Sequence, residues 1–181
     1  MSIVTTAKAK MASGNVKEAF KNEAGAIDLA SIMVGIIVIG LIGGVIAATV
    51  FAVIPWAQDN AAKQQLDSVA AAQSAYIGLA ADTAAIQFGS ATELKTAGLF
   101  DSTAAKVSVA KIGSGTAAHY GAAVSSSSGK VWYITDSKTQ PTSADTSAAA
   151  KTAVETAVKV GNPASATVNW TGAGPIANTT P

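Results

Sequence analysis

The residues that could carry chemistry in this chain are few, and their types exclude most reaction classes. His119 is the one histidine among 181 residues, and there is no cysteine. A histidine pair cannot form, and neither can a thiolate metal site or a disulfide. An acid–base site built on His119 needs a partner from a distant part of the chain. With Ala118 and Tyr120 on either side, His119 reads as an ordinary strand residue. The acids beyond residue 82 are scattered, and neither a G-x-S-x-G elbow nor a Walker-type phosphate loop occurs. Gly113 and Gly115 lack the strand–helix setting of a dinucleotide site and read as a hairpin turn. Asn169 and Asn178 each open an N-glycosylation pattern, NWT and NTT, but patterns this short also arise by chance. The expectation is a non-enzyme with no catalytic residue, no metal and no cofactor.

The informative residues lie elsewhere. No charged residue occurs over 29–58, and Asp28 and Asp59 bracket this run. About 20 apolar residues suffice to cross a hydrocarbon core as a helix, so the run spans with length to spare. The mean hydropathy of +0.35 and the 49% apolar composition have their source here. Gly35, Gly40, Gly43 and Gly44 punctuate the run. Glycine weakens a helix in water. In a bilayer or a bundle the Gly40 to Gly44 spacing, G-x-x-x-G, permits close backbone approach, although membrane helices also simply tolerate glycine. Pro55 removes a backbone donor near the end of the run and is expected to kink or loosen the helix. Trp56 follows where an interfacial aromatic belongs.

Asp28 has two readings. It is a headgroup-level acid that caps the helix and complements its positive end. Alternatively, cleavage after Gly25 frees an ammonium on Ala26, and Asp28 pairs with the ammonium of a neighbouring subunit in a low-dielectric core. Residues 1–25 carry four lysines against two glutamates. Positive charge before a first span keeps that end cytoplasmic and puts the rest of the chain outside. Val16 to Glu23 is either a short surface helix or disordered. A net charge of +1 gives no electrostatic case for nucleic acid.

Positioning these residues requires one long helix over 26–81. Its second half is rich in Ala, Gln and Lys. Leu66, Val69, Gln73, Tyr76, Ile77 and Ala80 fall three and four apart on one face. A linker over 81–90 leads to a short helix or turn ending at Gly98. Strands are predicted around 105–112, 117–124 and 130–136, with Val131 to Thr135 the strongest through its β-branched and aromatic residues. GSG and SSSSG turns between them imply an antiparallel meander. Residues 143–161 read as an exposed Ala/Thr helix or a loop, 165–172 as a final strand, and 174–181 as a fraying tail. The fold class is therefore α+β, a long N-terminal helix on a small antiparallel sheet. The segments are a leader (1–25), a transmembrane or filament-core helix (26–57), an amphipathic continuation (58–81) and a β-rich head (82–181).

On the residues IPWAQDNAAKQQLDSV, from Ile54 to Val69, the chain resembles the type IV pilin superfamily. Members of that family leave the membrane through an Ile-Pro, then Gln-Asp and an Ala/Lys/Gln-rich helix. TELKTAGLF, from Thr92 to Phe100, is similar to the segment that leads pilin chains from helix to sheet. A basic leader ending in Gly25 fits the prepilin pattern, and AGAID before an apolar run is similar to archaeal pilin and flagellin leaders. The sequence departs from the usual pattern where Ala26 replaces a phenylalanine and Ala30 a glutamate, with Asp28 the nearest acid. The stretch from Gly25 to Pro55 is also about two helical turns longer than usual.

The resemblance implies cleavage after Gly25 by a prepilin peptidase and methylation of the new amine. It also implies extraction from the membrane by an assembly platform and an ATPase motor, into a helical homo-oligomeric pilus. Asp28, Gly40, Gly44 and Pro55 would then serve assembly. A minor pilin or pseudopilin of a secretion or DNA-uptake machine shares these features. A single-span anchored surface module that keeps its leader and never polymerises is the alternative from another class.

Overall fold

The computed structural model describes residues 23–79, 87–138, 140–163 and 165–177, with side chains from residue 29 onward. Val16 to Asn22 of the expected surface helix, and Ala80 of the amphipathic stripe, lie outside the described residues. The chain divides into two units, Met1–Phe51 and Ala52–Pro181. In the first, the described backbone is helical from Glu23, where helix α1 (Glu23–Leu79) begins. In the second, α1 continues through Pro55 and becomes one layer of an α+β fold.

That second unit has three layers. Its sheet contains β1 (Val107–Ile112), β2 (His119–Ser125), β3 (Val131–Thr135), β4 (Thr142–Ala144) and β5 (Asn169–Gly172), in the order β4-β3-β2-β1-β5. Every pairing is antiparallel. The first three strands form the meander that the turn residues predict; β4, which the sequence pattern does not predict, extends it beside β3, and β5 returns to pair with β1. Helix α2 (Ala91–Thr96) and the single turn α3 (Ser102–Ala105) precede the sheet, and α4 (Ser147–Val158) connects β4 towards β5.

Side-chain alternation divides the core in two. Val107, Val109, Tyr120, Ala122, Val124 and Ile134 face α1, where Ala62, Leu66 and Val69 pack on them. Leu66 and Val69 are fully buried, as their spacing predicts. Ala110, Ile112, Ala123, Tyr133 and Trp170 face the other way, against Ala150, Val154 and Val158 of α4. The helix over 147–158 therefore exists but is not simply exposed. Its valines at i and i+4 bury one face while Thr152 and Thr156 stay exposed on the other. Gly121 lets α4 sit close, because a Cβ there would run into Val154 Cγ1. Of the tail expected to fray, residues 178–181 lie outside the described residues, while Ile176 is buried. Ser108 Oγ donates to the Ile176 carbonyl at 2.9 Å and accepts from its N–H at 3.1 Å.

Two polar devices fix the chain as it turns from α1 to the sheet. Gln73, fully buried, donates to the Gly89 carbonyl at 2.7 Å and accepts from the Gly89 N–H at 2.8 Å. This pair mimics a backbone bridge and satisfies an interior loop. Ser90 then caps α2 in a reciprocal box with Glu93. Lys111 of β1 reaches Glu93 at 2.6 Å. Burial alone would push the Glu93 carboxyl up. The bonds from Lys111 and Ser90 outweigh it and hold Glu93 below the ordinary carboxylate range.

Candidate assembly surface

Helix α1 is apolar on all sides before Gln58. Seventeen large apolar side chains between Leu29 and Trp56 are exposed, among them Ile36 at 65%, Ile39 at 73% and Phe51 at 76%. Burying each is worth roughly 1.5–3 kcal/mol. Even at half that value they total roughly 13–25 kcal/mol, at or above the upper end of the net stability of a typical domain, about 5–15 kcal/mol. The helix is long and apolar enough to cross a membrane by length and composition, and none of its most apolar window is buried within the chain. Thr49 Oγ1 donates to the Ile46 carbonyl at 2.8 Å, so its hydroxyl is satisfied within the helix, as an apolar medium requires.

The predicted site residues are distributed along this helix. Gly25, Ala26 and Asp28 lie in its first turns. At Gly35, Gly40, Gly43 and Gly44 a Cβ would meet nothing within 4 Å. Among the described residues no contact asks for glycine there, although each weakens the helix by about 1 kcal/mol relative to alanine. Pro55 is inside the helix, and the backbone stays helical around it. A proline at 55 leaves the Phe51 carbonyl without its i+4 donor, the local cost expected of it.

Where the run ends, a polar cluster ties α1 to the β2–β3 turn. Asp59 accepts from Ser128 Oγ at 2.5 Å and from Trp132 Nε1 at 3.2 Å. Lys63 places its ammonium 4.3 Å from the centre of the Trp132 ring. In the sequence Asp59 reads only as the end of a charge-free run. Its position as the first charge after that run is the available signal; its partners, about 70 residues away, require the fold.

The residues first weighed for chemistry are placed as follows. His119 opens β2, with Nδ1 2.6 Å from Asp136 Oδ2. Burial, with the Asp136 charge, pushes the neighbouring Tyr120 phenol up to about 12, so it stays neutral. Among the described residues no group of three His, Cys, Asp or Glu side chains could hold a metal. Gly113 and Gly115 take positive φ, 71° and 63°, in the turn between β1 and β2, which glycine accommodates without strain. Asn169 is exposed on edge strand β5. Thr171 of the same pattern accepts from the Ala91 N–H at 2.9 Å and donates to the Val109 carbonyl at 3.3 Å, a packing role that accounts for a threonine there. Asn178 lies outside the described residues. Compared with protein-family models, with curated proteins and with solved structures, the chain finds no match.

Proposed function

We propose that this chain is the precursor of a structural subunit of a type IV pilus-like filament, and that it polymerises through α1. The reading rests on one observation. A chain with a two-sided core of its own also carries seventeen exposed apolar side chains on a charge-free stretch of α1. Such a surface is stable only in lipid or against other helices. A subunit that moves from bilayer to filament uses both in turn.

In this scheme the leader is cut after Gly25 and the amine of Ala26 is methylated. Asp28 pairs with the ammonium of a neighbour, which spares each the cost of a lone charge in a dry core. Gly40 and Gly44 allow neighbouring helices to approach, and dispersion contacts replace those that lipid supplied. Local unwinding between Gly40 and Pro55 adjusts each subunit to the filament. The head faces outward, and the chain acts as a building block, not a catalyst.

The test is co-expression of the full chain with a prepilin peptidase and its assembly machine, followed by shearing of surface material. Filaments containing the chain, with a mature N-terminal mass beginning at Ala26, are the expected result. An intact leader and a monomeric, membrane-bound chain would instead establish the single-span anchored module, which the same apolar helix also suits. Trace incorporation into a filament made of another subunit would establish a minor pilin or pseudopilin.

A further inference from the structure

While the chain is anchored, we infer that the β2–β3 turn rests on the lipid headgroups, with Lys63 and Lys130 facing lipid phosphates. This inference rests on the membrane stage of the proposed function and adds a defined contact to it. Its grounds lie wholly within the second unit.

That unit begins at Ala52 and so includes the last turn of the apolar run, where Ile54 and Trp56 are exposed. An exposed tryptophan at the end of such a run marks the edge of the hydrocarbon. Asp59 follows three residues later, about 5 Å further along the helix axis. The headgroup layer is about 5–7 Å deep on each side of a bilayer. Asp59 holds Ser128 and Trp132, so the β2–β3 turn is pinned at that same depth.

The chemistry of the turn fits this position. Residues 125–130 read SSSSGK and contain no apolar side chain. Ser127 and Lys130 are exposed. The turn closes on itself, with the Ser126 N–H donating to the Lys130 carbonyl at 2.8 Å and the Ser128 N–H to Ser126 Oγ at 3.2 Å. Helical side chains lean towards the N-terminus, so Lys63 reaches back towards the membrane, and its ammonium lies over Trp132. Asp59 is the acid of the cluster, and Ser128 and Trp132 occupy its carboxylate. Two lysine cations beside one engaged acid leave a net positive surface for phosphate.

The absence of cysteine makes the test clean. Single cysteines are introduced in the full chain as Ser127→Cys on the turn, Thr156→Cys on the exposed face of α4, and Ile42→Cys in the apolar run. Each is labelled with a fluorophore and reconstituted in phosphatidylcholine vesicles with or without phosphatidylglycerol. Quenchers are attached to acyl chains, attached to headgroups, or dissolved in water. The expected result is an Ile42 label quenched from the acyl chains and a Ser127 label quenched from the headgroups. The Thr156 label should respond mainly to the aqueous quencher. Phosphatidylglycerol should strengthen headgroup quenching at Ser127, and Lys63→Gln and Lys130→Gln should each weaken the docked state about fivefold. A Ser127 label as open to water as Thr156, with Ile42 in lipid, overturns the docking while leaving the anchor intact. Equal Ser127 quenching in neutral and anionic vesicles overturns the phosphate contact. An Ile42 label in water overturns the membrane reading itself.

Discussion

Replacing Gln73 by alanine removes both arms of the clamp on Gly89 and leaves that residue's N–H and carbonyl in a buried site. Leaving a buried backbone group without its partner costs about 1–3 kcal/mol, and two groups lose theirs here. The expected destabilisation is about 3 kcal/mol. It can be read by urea unfolding of the full chain in detergent, with Trp132 and Trp170 as fluorescent probes. At a slope of about 1–3 kcal/mol per molar, the midpoint should fall by about 1–3 M urea. Gln73→Glu sharpens the test. A protonated carboxyl keeps both bonds, since its O–H donates to the Gly89 carbonyl while its own carbonyl accepts the Gly89 N–H. The carboxylate form can only accept. The folded state therefore favours the proton, so this variant should be most stable in acid and lose stability as pH rises past about 4.3. A Gln73→Ala loss below about 1 kcal/mol, or a pH-independent Gln73→Glu, would refute the argument that this buried amide is what closes the loop.

Three further outcomes follow from the same geometry. The Glu93 carboxyl is held below its ordinary value of 4.5, so its contribution is present above that pH and is lost as pH falls further. Glu93→Gln should cost about 1 kcal/mol at neutral pH, a modest figure because the side chain is 42% exposed, and nothing in acid; a pH series of unfolding curves checks this. Gly121→Ala should cost about 1–3 kcal/mol by forcing Val154 and α4 outward, and pairing it with Val154→Ala should recover part of that loss in the same assay. Gly40→Leu and Gly44→Leu should leave the head's unfolding midpoint and membrane insertion unchanged yet abolish filaments under electron microscopy; normal filaments would remove the glycines from the assembly scheme.

Local patterns determined much of this molecule in advance. An uncharged run over 29–58 is long and apolar enough for a helix to cross a membrane, which is more than a small core uses. Leu66, Val69 and Gln73 share a face through the helical period alone, and Val131–Thr135 is a strand because β-branched and aromatic side chains suit a pleated surface. The strand-to-strand order of the meander follows from short turns.

Long-range partners were decided only by the tertiary structure. Residues 147–158 look like a solvent-exposed helix because alanine and threonine carry little apolar signal. It is the second face of the sheet, with Trp170 fully buried there, that turns Ala150, Val154 and Val158 into core. Ile176 stays in place because Ser108, 68 residues away, bonds both its backbone groups. Asp59, Ser128 and Trp132 become one cluster for the same reason. Periodicity is written into neighbouring residues, whereas the pairing of a hydroxyl or an indole with a remote carboxylate exists only after the chain has closed its loops.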